Sequence, residues 1–532
     1  MTCAQLAGMA IPASAIGLPT GGGTVTTAAV VAASGTGAAA VPEHCLVNAS
    51  IAPVDPTSPS ILFRLALPTQ WNGKAVMFGG GGFDGTIPSV AGNVPAGPSD
   101  QPTPLGRGYA TFASDSGHQA GAAGSLDGEF LLNEEATRNF GGHALKKTRD
   151  AAVHLLRQRY GTNGPTRSYF AGGSTGGREA LSVAQRWPAD WDGVIAWYPA
   201  WNQLSAMLGG HRASRAMAQP GAYPNNAKRI LVRDAALQAC DALDGVADGI
   251  VSRQQQCNAL FDPALATFNG TPVRCPGGAD TGDTCLSDAQ IAALKTMNTA
   301  TSFNFFLASG SQGYPGYNVW GADLGITSTP PVGLQATVAF LNLGSTAPAM
   351  PMPAGAPYIS KQLDQVIKNA VTRDPAFNSL TLDPENPGPW ANRLSELSTM
   401  LDVSPDLSAF VARGGKLLLA HGTSDVLVSA RATEQFYQRL RAQFGPATVD
   451  TFARYYEVPG YGHAVSTMFN AAWDSLTALE RWVEQGTAPS GQVVTDTAGV
   501  PGRTRPLCDH PRWPQYRGSG NVNLAASFTC AN

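Results

Sequence analysis

Residues 168–180 read SYFAGGSTGGREA, in which Gly172, Ser174 and Gly176 set out a G-x-S-x-G pattern. A serine hydroxyl is a weak nucleophile until a base takes its proton, so this serine needs a histidine, and the histidine needs an acid to orient it. Two later segments supply them. KLLLAHGTSD, residues 416–425, ends in Asp425, and FARYYEVPGYGH, residues 452–463, ends in His463. In the scheme these residues imply, His463 takes the Ser174 proton, Ser174 attacks an ester carbonyl and Asp425 stabilises the imidazolium. The charge growing on the carbonyl oxygen then requires fixed donors. The expected ones are the backbone N–H of Thr175 and an amide of the glycine run Gly79 to Gly82, with Gly80 the first choice.

In a chain with 60 glycines the serine pattern also arises by chance, so its setting must carry the weight. Short apolar runs at 74–79, 109–114, 168–172, 194–198 and 416–420 end in glycine or small residues, as buried parallel strands do. The segment Ala144–Tyr160 places Leu145, Ala152, Leu155 and Leu156 at helical spacing with charges opposite, which predicts a crossover helix. Another helix is predicted over 177–186, ended by Trp187-Pro188. The serine therefore sits at a strand-to-helix elbow, and the order Ser174, Asp425, His463 is that of an α/β-hydrolase fold. The expected architecture is α/β: a doubly wound, mostly parallel sheet with a large inserted lid domain. The domain boundaries follow as core 1–202, lid 203–410 and core 411–532, with the lid roofing the carboxyl ends of the strands.

Within that insertion, CDALDGVADGIVSRQQQC carries Asp241, Asp244 and Asp248 on a loop turned by Gly245 and Gly249. Calcium takes six to eight oxygens, and such a loop also offers the carbonyls of Val246 and Ile250, so a structural Ca²⁺ is expected. The alternative is a pair of solvated Asp-Gly turns. The eight cysteines fall into sequence neighbours that could close loops: Cys3 with Cys45, Cys240 with Cys257, Cys275 with Cys285, and Cys508 with Cys530. With no C-x-x-C spacing among them, four disulfides and an oxidising compartment are expected, against the alternative of eight reduced thiols. A secreted or periplasmic location follows. The first charged residue is Glu43, but Pro12, Pro19 and the lack of a basic start argue against a signal peptide or a membrane span, so the export signal is expected to have been removed. At 532 residues, 43% apolar, 14% charged and a net charge of -3, the chain gives no electrostatic reason to expect nucleic acid as a partner. Nothing in the sequence fixes an oligomeric state.

PEHC ending at Cys45, LPTQWNG at 67–73, SDSGH at 114–118, STGGRE at 174–179, CDALDGVADGI, HGTSD, VPGYGH and RTRPLC run in order along nearly the whole chain. In this the sequence resembles the tannase and feruloyl esterase family. The resemblance implies a Ser-His-Asp triad, a lid, and calcium held by Asp241, Asp244, Asp248 and the carbonyls of Val246 and Ile250. It further implies hydrolysis of small aromatic esters of the feruloyl or hydroxycinnamoyl type through an acyl-enzyme. Galloyl esters and aromatic diacid monoesters such as mono(2-hydroxyethyl) terephthalate are alternatives, and a calcium-stabilised binding protein without turnover is the non-enzymatic one. Members typically carry a cysteine before the nucleophile and another after the catalytic histidine; here Gly173 and Ala464 stand there, which predicts a more mobile histidine loop. The aromatic stretch 303–325 suits stacking on an aryl group, although such clusters also build lid cores, and Arg393 is a candidate for a substrate carboxylate.

Overall fold

In a computed structural model that describes residues 1–327 and 333–532, the apolar runs become neighbouring rungs of one sheet. Its strands are β1 (Ala10–Ile11), β2 (Gly23–Val31), β3 (His44–Ile51), β4 (Ile61–Pro68), β5 (Lys74–Phe78), β6 (Ala110–Ser114), β7 (Arg167–Gly173), β8 (Gly193–Trp197), β9 (Lys416–Gly422) and β10 (Ala453–Val458). They lie in the order β1-β2-β3-β4-β6-β5-β7-β8-β9-β10. From β6 to β10 every ladder is parallel, and from β1 to β6 through β4 every ladder is antiparallel. The parallel strands are buried on both faces, which explains why they read as continuous apolar runs. The antiparallel extension escaped the sequence reading. β2 is GTVTTAAVV with little of it buried, so no apolar run marked it.

Crossover helix α1 (Ala144–Tyr160) covers one face of the sheet. Leu155 and Leu156 are fully buried there, each contributing about 2 kcal/mol. The helix ends where Gly161 adopts φ 68° and donates to the Arg157 carbonyl, a left-handed cap that glycine enters without strain. Helix α2 (Thr175–Arg186) packs on the same face, while the helix Ser475–Gln485 sets Leu476, Leu479 and Trp482 against the other. Helices on both faces make the sheet doubly wound.

Between β8 and β9 the chain leaves the sheet and folds mainly as helices, beginning with α3 (Gln203–Met217), around a second apolar cluster. Part of the expected lid, residues 328–332, lies outside the described residues. All eight cysteines are paired as expected, Cys3–Cys45, Cys240–Cys257, Cys275–Cys285 and Cys508–Cys530. Among the described residues, no helix is long and apolar enough to cross a membrane.

Candidate functional site

The end of β7 delivers Ser174 into the turn that starts α2, at φ 61° and ψ -124°, a backbone conformation strained for any residue with a side chain. The turn is tight enough that a Cβ at Gly172 would stand 2.2 Å from the Gly176 carbonyl oxygen, which accounts for the small residues on either side of the serine. The loop after β9 holds Asp425, and the turn after β10 holds His463. Backbone bonds from Thr423 to Val458 and from Ser424 to Tyr461, each 3.0 Å, lock the two loops together.

The three residues meet. His463 Nε2 lies 2.8 Å from Ser174 Oγ, and His463 Nδ1 lies 2.7 Å from Asp425 Oδ2. Asp425 is fully buried. Burial works against its charge, yet the facing His463, with hydrogen bonds from His421 and His463, holds the carboxyl well below the usual carboxylate range. Its other oxygen accepts the amides of Leu427 and Val428 at 2.9 Å each. The carboxylate thus caps the following turn and orients the histidine at once.

His421 is a participant the sequence reading passed over, although it lies in the quoted HGTSD. Its Nε2 is 3.1 Å from Asp425 Oδ2 and 3.0 Å from the Val428 carbonyl, and its Nδ1 is 2.8 Å from Thr433 Oγ1. An Nε2–H tautomer satisfies all three, donating to the two oxygens and accepting from the threonine.

The expected oxyanion donors fare differently. Thr175 is the first residue of α2, so its N–H has no acceptor within the helix, and its hydroxyl is spent on the Gly82 carbonyl at 2.6 Å. Gly80 lines the cavity, but its N–H donates to the buried Glu179 Oε2 at 3.2 Å. That expectation is therefore corrected: the Gly80 amide is already taken by a carboxylate beneath the loop. Asp84 joins Glu179 there, and burial, then the Glu179 charge, push Asp84 well above the ordinary range.

Ser174 opens into a cavity of about 520 Å³, a size that suits a small organic ester. Its walls include Phe78, Tyr198, Met207, Tyr358, Ile359 and Leu427, with Gln203 and Gln362 among the polar groups, and no Lys, Arg, Asp or Glu among the described lining residues. Arg393 does not reach it. That guanidinium bonds Glu134 at 2.6 Å, Glu396 at 2.8 Å and the Ala370 carbonyl at 2.9 Å, which leaves it no role toward a substrate carboxylate. The aromatic stretch also turns elsewhere: Phe303, Tyr314, Tyr317 and Trp320 are buried in the second apolar cluster and do not line the cavity.

In the acidic loop, Asp241 accepts the amides of Asp248, Gly249 and Ile250 at 3.1, 2.8 and 3.3 Å. Asp244 Oδ2 and Asp248 Oδ1 are buried with no hydrogen-bond partner, and burial with the neighbouring carboxylates raises Asp244 to about 6. Orphaned carboxylate oxygens of this kind fit a cation that needs oxygen ligands. Among the described residues, however, no three His, Cys, Asp or Glu side chains gather as a metal cluster on their own, so the backbone carbonyls would have to complete the set. Arg505 contacts Asp248, and Arg503 donates to the Asp248 carbonyl at 3.1 Å, a role for RTRPLC that its sequence did not reveal.

Comparison with known proteins matches residues 45–531 to the family model described as tannase and feruloyl esterase. An uncharacterized esterase of Agrobacterium fabrum is 37% identical, over 100% of this chain and 93% of the relative. The mono(2-hydroxyethyl) terephthalate hydrolase of Piscinibacter sakaiensis is 33% identical over 93% of this chain and 86% of its own. Among solved structures, feruloyl esterase B from Aspergillus oryzae superimposes with a TM-score of 0.76 at 21% identity, covering 97% of this chain and 98% of the other.

Proposed function

The chain belongs to the tannase and feruloyl esterase family of carboxylic-ester hydrolases, and on that premise we propose that it cleaves neutral aromatic esters of the feruloyl type through Ser174. The observation that carries this reading is the hydrogen-bonded line from Ser174 Oγ through His463 to Asp425, opening into a cavity whose described lining holds no Lys, Arg, Asp or Glu.

In the mechanism, His463 Nε2 takes the Ser174 proton as Oγ attacks the ester carbonyl. The tetrahedral oxyanion is held by the Thr175 N–H and by a backbone amide of the glycine loop 79–82, which lines the cavity beside Ser174. His463 returns the proton to the departing alcohol, leaving an acyl-serine. Water then attacks that acyl group, with His463 again as base, releasing the acid and free Ser174.

The cavity wall chooses among the family's ester classes. A diacid monoester brings a carboxylate, and burying it without a cation is costly. A ferulate-type acyl group brings an aryl ring and one phenol, which the apolar wall with Gln203 and Gln362 can accommodate. Gln203 Oε1 is buried with no hydrogen-bond partner, an acceptor suited to a phenolic hydroxyl. Labelling by a small fluorophosphonate tests the nucleophile: an adduct on Ser174 is expected, and an unlabelled folded protein would refute the assignment.

Calcium in the loop closed by Cys240–Cys257 belongs to the same proposal, with Asp241, Asp244, Asp248 and the carbonyls of Val246 and Ile250 as its ligands. When bound it would neutralise the crowded carboxylates and fix the loop. The four disulfides support a secreted or periplasmic setting, since such bonds persist in oxidising compartments.

A further inference from the structure

Gly173, immediately before the nucleophile, has no room for a side chain. A Cβ there would lie 2.5 Å from Tyr198 Oη and 2.6 Å from both Cε2 and Cζ of the same ring. Tyr198 follows β8 and is buried, with its N–H fixed on the Ala420 carbonyl at 2.7 Å. Its backbone sits at φ 34°, where a residue with a side chain is strained, so surrounding contacts must hold it.

The same ring meets the histidine. The Tyr198 and His463 ring centres are 4.9 Å apart with planes at 59°. The Tyr198 hydroxyl also interacts with that of Tyr461, and Tyr461 Oη donates at 2.7 Å to the carbonyl of Ala464. Ala464 is itself held at φ 63°, directly after His463. One side chain thus touches the nucleophile elbow, the imidazole and, through Tyr461, the backbone that carries the imidazole.

We propose that Tyr198 is a positioning residue that aligns His463 with Ser174, its ring serving as a packed brace between the elbow and the histidine loop. The small residue at Gly173 is the counterpart of that brace: ring and side chain compete for one space. The brace supplies a connection between elbow and loop without a covalent bond, in a place where a mobile loop was expected from sequence. The titratable groups facing His463 are Asp425, Tyr198 and, behind them, His421 and Tyr461. Burial pushes both phenols up, so they remain neutral while the imidazole works.

This inference rests on the serine-hydrolase reading, and the experiment separates the two. The rate of Ser174 phosphonylation by a small fluorophosphonate is measured against pH for the parent, Tyr198→Ala, Tyr198→Phe, Gly173→Ala and the Gly173→Ala/Tyr198→Ala double variant, with folding followed by circular dichroism. Misalignment of a base on this scale costs roughly 10- to 100-fold. That loss is expected for Tyr198→Ala, with the acidic limb of the profile displaced, while Tyr198→Phe keeps the ring and most of the rate. Gly173→Ala should slow the parent but leave the Tyr198→Ala rate unchanged or improved, because the space is then free. A purely structural role predicts lower melting temperatures with the acidic limb in place, and that outcome overturns the proposal. So does a parent-like rate in Tyr198→Ala, or additive losses in the double variant. Should Tyr198→Ala fail to fold, Tyr198→Leu and Gly173→Ala carry the same comparison. A parent that takes no adduct overturns the serine-hydrolase reading itself, and the brace with it.

Discussion

His421 Nε2 stands 3.1 Å from the Asp425 oxygen that also orients His463, so one buried carboxylate oxygen serves two histidines. The arrangement keeps Asp425 ionised against the burial that opposes its charge. Replacing His421 with Leu removes a donor from Asp425 and from the Val428 carbonyl. We expect a loss of about 1–3 kcal/mol in unfolding free energy, with kcat reduced roughly tenfold because the acid is less firmly held. Urea unfolding and steady-state kinetics on one protein preparation check both. A variant with parental kcat would show that Asp425 is fixed by its two backbone amides alone.

A second prediction concerns pH. Asp402 is buried and raised to about 7, chiefly by burial, while its unfolded value is near 3.8. Between those values the native state holds a proton the unfolded chain has lost, so the contribution is fully present below about 3.8 and declines as pH rises to about 7. The limiting slope for one such group is about 1.4 kcal/mol per pH unit. Asp402→Asn keeps an acceptor for the Leu204 amide and cannot ionise. Its unfolding free energy should fall less steeply than the parent's from pH 4 to 7, as measured by denaturant titrations; parallel curves would contradict the assignment.

The acidic loop gives a third. If calcium fills the space between the orphaned oxygens of Asp244 and Asp248, adding it to chelator-treated protein at 100 times its Kd should stabilise the fold by about 2.7 kcal/mol. Asp248→Asn should abolish most of that response. Calorimetry with Ca²⁺ and with Mg²⁺ reads the effect, and a melting temperature indifferent to Ca²⁺ would leave the loop a hydrogen-bonded turn braced by Arg503 and Arg505.

Much of this was legible in the sequence, and the failures share a cause. Ser174, Asp425 and His463 could be picked out because each follows closely on a largely buried strand, and burial leaves its mark on consecutive residues. The antiparallel strands from Ala10 to Pro68 left a weaker trace, since β2 lies mostly in solvent. Gly80 was chosen for its small size, but the direction of its amide depends on Glu179, 99 residues away in sequence. The engagement of Arg393 is invisible in sequence for the same reason, since its partner Glu134 lies 259 residues off. His421 and Tyr198 were equally hidden: both act by contacts across strands, and single-residue spacing records no such contact.

The central claim is that Ser174 cleaves neutral aromatic esters in the cavity it faces. Its most direct test is the kcat/KM of the parent and of Ser174→Ala on methyl ferulate, methyl gallate and mono(2-hydroxyethyl) terephthalate. The account predicts turnover by the parent with methyl ferulate preferred over the charged monoester, and loss of all turnover in Ser174→Ala. Equal turnover by Ser174→Ala would contradict the nucleophile, and a preference for the charged monoester would contradict the reading of the uncharged wall.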